Sequence, residues 1–72
     1  MDNLTDRIAA LLKSGALTFK GARKRHNLAP GATGILHAEG RRWAQETGEP
    51  VAAGITKACA AYWELFEERK GK

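Results

Sequence analysis

Lys24 and Arg25 stand side by side with no acidic residue within four positions, and Lys20, Arg23, Arg41 and Arg42 complete a set of six cations between residues 20 and 42. Only Glu39 opposes them, so this segment carries a formal +5 against +4 for the whole 72-residue chain. Cations in this density neutralise phosphates and release condensed counterions, which gives a polyanion such as DNA or RNA a reason to bind whatever its sequence. An arginine among them can also read a guanine edge with two parallel hydrogen bonds.

No other group of residues assembles a reactive site. His26 and His37 have no carboxylate or second ligand at a helical spacing, so they read as surface or boundary histidines. Cys59 is the only cysteine, which rules out an intramolecular disulfide. One cysteine and two histidines also fall short of the four ligands of a structural zinc site. Cys59 lies on an apolar helical stripe and reads as a small core residue rather than a reactive thiol. Glu64, Glu67 and Glu68 crowd one end of a helical pattern beside Arg69 and Lys70, the signature of a solvated face. Gly31 and Gly34 lack the preceding strand and following Lys-Ser/Thr of a phosphate loop. The expectation is a protein that is not an enzyme and uses no cofactor or metal.

The elements that must carry the cations are helical. Leu4, Ile8, Leu11 and Leu12 fall on one stripe of a first helix, which Asn3 or Asp2 can cap and which Ser14-Gly15 stops. Thr18 is a good N-cap for a second helix over about residues 19–27, with Phe19, Ala22 and His26 inward and Leu17 as a staple. A break follows at Asn27-Leu28-Ala29-Pro30-Gly31. A third helix starts with Pro30 in its first turn or Thr33 as its cap, turns Ile35, Leu36 and Trp43 inward, and runs to Thr47-Gly48. Gly40 within it either weakens the helix or marks a close approach of a neighbouring backbone. After Glu49-Pro50 a fourth helix of about 20 residues repeats Val51, Ile55, Ala58, Cys59, Tyr62 and Phe66 at helical spacing. Trp63 and Leu65 widen its apolar band. No run alternates apolar and polar residues long enough to make a strand.

Seventy-two residues make one domain, near the size at which a chain buries barely enough surface to fold alone, so a homodimer is expected. Nothing approaches 18 consecutive apolar residues, and the acidic start Met1-Asp2-Asn3 is unlike a signal peptide. The chain is therefore expected to stay off the membrane, in the cytoplasm.

Residues 18–47 resemble the helix-turn-helix of small DNA-binding regulators, in which the second helix of the pair enters the major groove. Ala22 matches the small residue of the first helix, and Leu28 and Leu36 match apolar positions after the turn and in the recognition helix. The pattern is departed from at Arg23, His26 and Thr33, and by a long turn that holds a proline. The resemblance implies that Thr33, His37, Arg41 and Arg42 face bases while Lys20, Arg23, Lys24 and Arg25 lie along phosphates. Residues 42–59, through Arg42-Trp43-Ala44-Gln45-Glu46-Thr47-Gly48-Glu49-Pro50-Val51 and then Ile55, Ala58 and Cys59, are also similar to the helix-TGE-helix half of VapB-type antitoxins. That family's strand would fall near residues 27–32, where proline and glycine make a poor strand.

The sequence thus predicts an all-α bundle of about four helices with a helix-turn-helix-like middle pair and a long C-terminal helix. The expected function is DNA binding, or RNA binding, by a bacterial or phage transcriptional regulator. The 20–26 helix would contact phosphates and the 33–42 helix would contact bases. The competing expectation is a protein-binding module, such as an antitoxin, an inhibitor of a host or immune complex, or an assembly subunit. It would work through Tyr62, Trp63 and Phe66, types enriched at interface hot spots.

Overall fold

The computed structural model describes residues 4–20 and 31–70. Three α-helices account for most of them: α1 (Leu4–Ser14), α2 (Ala32–Thr47) and α3 (Val51–Lys70). The all-α class holds, and no strand occurs among the described residues. The count of four helices does not hold among them, because residues 18–20 are not helical. The Thr18 hydroxyl does accept the Lys20 amide at 3.3 Å, as a capping side chain would. The rest of the expected second helix, residues 21–27, and the break at residues 27–30 lie outside the described residues. The expected third and fourth helices are α2 and α3.

Glycine sets two of the helix ends. Gly15 and Gly48 have φ of 87° and 77°, a left-handed conformation that costs a residue without Cβ almost nothing. At Gly48 the chain turns so that the Gly48 amide donates to the Ala44 carbonyl and the Glu49 amide donates to the same oxygen at 3.1 Å. Pro50 then precedes α3, and the Gly54 amide donates to its carbonyl at 3.1 Å to close the first turn. α2 begins after Gly31 with no side-chain cap, so Thr33 lies inside the helix and does not cap it.

α2 and α3 form an antiparallel hairpin packed through small residues. The buried positions of α2 are Ala32, Leu36, Gly40 and Ala44, a strict four-residue repeat, and in α3 Gly54, Ala58, Ala61 and Tyr62 face them. A Cβ added at Gly40 would lie 2.7 Å from the Gly54 carbonyl oxygen, closer than such atoms pack. The close backbone approach expected at Gly40 is therefore present, and Gly54 is the residue it approaches.

This contact corrects the expected core stripe of α3. Ala58 and Tyr62 of that stripe are fully buried as expected, but Val51 is 45% exposed and Ile55, Cys59 and Phe66 are half-buried, whereas Gly54 and Ala61, outside the stripe, are buried. The band is rotated by about one residue because the interface is built from absent side chains, not large ones. In α2 the same logic leaves Ile35 and Trp43 half-buried beside a fully buried Leu36.

α1 lies across the hairpin and contributes Leu4 and Ile8 to the core, with Leu11 and Leu12 packed against its edge. An ion pair from Arg7 to Glu46 ties it to α2. Beyond α1 the chain turns back: the Leu17 amide donates to the Leu11 carbonyl at 3.1 Å, and the Leu17 side chain is 1% exposed. Phe19 then enters a cluster with Tyr62, Trp63 and Phe66, whose successive ring centroids lie 5.0–5.3 Å apart in tilted or edge-on pairs.

Candidate nucleic-acid interface

α2 has one buried stripe and one exposed arc. The arc holds Gly34, Ala38, Arg41, Arg42 and Gln45, all exposed, with exposed Thr33 and half-buried His37 along its edge toward α3. The two acids of α2 lie on the other edge, beside α1. Glu46 pairs with Arg7 there, and Glu39 lines a shallow cleft with Leu11, Ile35, Ala38 and Arg42. The arc therefore presents two arginines, with the Glu39 carboxylate at its edge beside Arg42.

Arg42 reaches back toward Glu39, but Nη1 lies 3.8 Å from Oε1 and 71% of the arginine side chain is in solvent. The Glu39 side chain is only 14% exposed, so a phosphate has to compete with a largely buried carboxylate for Arg42, although the contact is already long for an ion pair. Gly34 and Ala38 matter for a different reason. Side chains this short do not hold the helix away from a flat or grooved polyanion, and the arginines on the same arc are long enough to reach it.

Lys20 is exposed and sits in the turn after Phe19. Ala32, next to Thr33, and Tyr62 are buried in the same core cluster. The Tyr62 hydroxyl donates to the Thr18 carbonyl at 2.7 Å. Of the cations expected to contact phosphates, Arg23, Lys24 and Arg25 lie outside the described residues.

The residues expected to form a protein interface have other surroundings. Tyr62 is fully buried and Trp63 is 4% exposed, both within this chain's own core. Phe66 is half-buried and packs against that core. α3 spans about 30 Å at its ordinary rise, close to the 34 Å long axis of the molecule. Its length is what its own hairpin and aromatic end require.

Two residues that the sequence gave no role in a site, Lys57 and Trp43, are partners of each other. The Lys57 ammonium lies 4.8 Å from the centroid of the Trp43 ring, a cation–π contact that closes one side of a cleft between α1 and α3. Glu64 lines the same cleft, while Glu67 and Glu68 are exposed on the last turns of α3. Burial raises the Cys59 thiol above its ordinary value of 9.0, so it is a neutral thiol near neutral pH. Among the described residues, no three of His, Cys, Asp and Glu come together to hold a metal ion. None of the described helices is long and apolar enough to cross a membrane.

No protein-family model, curated protein or solved structure matches this chain.

Proposed function

We propose that this protein binds nucleic acid, duplex DNA in the first place, through the outer arc of α2, and acts in the cytoplasm as a small regulator that occupies a site on DNA. The carrying observation is the sorting of charge on α2. Glu46 pairs with Arg7 of α1 and half-buried Glu39 makes only a 3.8 Å contact with Arg42, so Arg41 and most of Arg42 stand exposed on an arc otherwise made of small or neutral residues. Arg41, central on that arc, would read a base edge, and Thr33 and His37 would flank it. Arg42 and Lys20, with Arg23, Lys24 and Arg25 of the same basic segment, would contact phosphates.

A homodimer is part of the proposal, since two copies would double the number of such contacts. Val51 and half-buried Ile55, both outside the core cluster, are the apolar surface it would use. Sedimentation at micromolar concentration tests this part separately, and a 7.8 kDa species throughout would remove it.

Titration with random-sequence duplex DNA over a salt series from about 50 to 200 mM tests the main reading. Each phosphate contact adds about 0.9 to the slope of log K against log salt, so a slope of several units is expected. Arg42→Ala lowers that slope by about one at every sequence. Arg41→Ala instead narrows the difference between preferred and random sites. Absence of binding at the lowest salt overturns the reading, and preference for single-stranded or duplex RNA redirects it.

A further inference from the structure

We infer that Tyr62 is a positioning residue for nucleic-acid binding, because its hydroxyl fixes the backbone from which Lys20 projects. The inference rests on the proposed function and adds to it a residue that is buried and uncharged.

The segment after α1 is described through Lys20 and has little regular structure of its own. A hydrogen bond from the Leu17 amide to the Leu11 carbonyl at 3.1 Å anchors its start, and further contacts hold it beyond that point. The Leu17 side chain is buried, the Phe19 ring lies 5.0 Å from that of Tyr62 and 5.3 Å from that of Phe66, and the Tyr62 hydroxyl donates to the Thr18 carbonyl at 2.7 Å. The Leu17 and Phe19 side-chain contacts are apolar and leave the chain some freedom to slide and rotate on α3. The Tyr62 bond is directional. A hydrogen bond from a fully buried tyrosine to a backbone carbonyl sets both the position and the orientation of the peptide that follows Thr18.

The next link runs along the backbone. The Thr18 hydroxyl accepts the Lys20 amide at 3.3 Å, so the residue whose carbonyl is held by Tyr62 also holds the amide of the first cation in the basic segment. Lys20 itself is exposed. A lysine side chain has large rotamer freedom, and a phosphate contact from it gains affinity only as far as the backbone beneath it is already placed. Tyr62 thus acts on binding through Lys20 without touching the ligand.

The test is a double-mutant cycle on the full chain, read by duplex-DNA titration across the same salt series. Tyr62→Phe keeps the ring and removes only the hydroxyl, and Phe19→Leu serves as a second variant that loosens the same segment without touching the hydrogen bond donor. Both are checked for helicity by circular dichroism. The expected result is that Tyr62→Phe weakens binding on the order of tenfold at 50 mM salt and lowers the salt slope by about 0.9, as Lys20→Ala does, the value of one phosphate contact. In the Lys20→Ala background, Tyr62→Phe then has no further effect. If Tyr62→Phe does not hold its helicity, Phe19→Leu takes its place in the cycle with the same expectations.

Additive losses overturn the inference, because a general loosening of the fold would act with or without Lys20. So does a wild-type slope in the folded variant, or a Lys20→Ala variant that binds as the wild type does. In each of these outcomes the wild-type protein still binds DNA and the proposed function stands. Failure of the wild type to bind at all removes the function itself.

Discussion

The two ends of the α2–α3 hairpin are held together by opposite means. Near the connection, Gly40 and Gly54 let two backbones touch, and the packing depends on atoms that are absent. At the far end, Phe19, Tyr62, Trp63 and Phe66 fill a wider space with rings, and one hydrogen bond fixes their arrangement. A crossing made by glycine has no slack, because any added side chain meets main chain that cannot rotate away. An aromatic cluster has slack, because rings can tilt against each other at little cost. The glycine end places α2, and at the aromatic end the Tyr62–Thr18 hydrogen bond takes up that slack and places the segment that leads to Lys20.

Substitutions break this comparison in order of severity. Gly54→Ala has the largest expected effect. Alanine is the better helix former by about 1 kcal/mol, but its Cβ would strike the Gly40 backbone, and overpacking against main chain outweighs that gain. A loss above about 3 kcal/mol is expected, a large share of the stability of a small domain. A urea titration with an unchanged midpoint would mean that the crossing is looser than described.

Leu36→Ala comes next, at about 2–5 kcal/mol for a fully buried leucine, and Ile55→Ala falls well below it at about 1 kcal/mol. This pair sharpens the comparison, since Ile55 is the larger residue of the expected stripe yet lies beside the glycine crossing and outside the core cluster. Equal losses in thermal unfolding would return the core face of α3 to Ile55.

The smallest effect belongs to Cys59. Its pKa is raised on folding, so its contribution to stability is present below the ordinary thiol range and lost as pH rises through the raised value. Stability of the wild type therefore falls more between pH 7 and pH 10 than that of Cys59→Ala. Parallel curves for the two would show that the thiol is solvated.

Much of this arrangement could be read from residue types. The bounds of α1 and of the hairpin followed from Ser14-Gly15, Thr47-Gly48 and Pro50, because left-handed glycine and proline punctuate a chain locally. The charge of α2 was equally plain, as were its exposed positions Thr33, Arg41 and Arg42. The core face of α3 was legible at Ala58 and Tyr62 but not at its start, because ranking positions by apolar bulk favours Val51 and Ile55 over Gly54, and only the partner helix reveals that glycine is needed there. The hold of Tyr62 on Thr18 joins residues 44 positions apart, and no local pattern encodes such a contact. Nor did pairing of Arg7 with Glu46, which frees the arc of α2 from one of its acids, leave a trace in spacing.

The three-residue connection between α2 and α3 also bears on the order in which the chain folds. Gly40 and Gly54 are 14 positions apart (54 − 40), so their meeting closes a short loop and gives up little chain entropy. The hairpin is the natural nucleus, with α1 docking afterwards onto a surface already formed. Truncations at Ala44 or Ala58 to glycine would then slow refolding, while Leu4→Ala would mainly hasten unfolding, and stopped-flow chevrons that reversed this assignment would place the nucleus at α1.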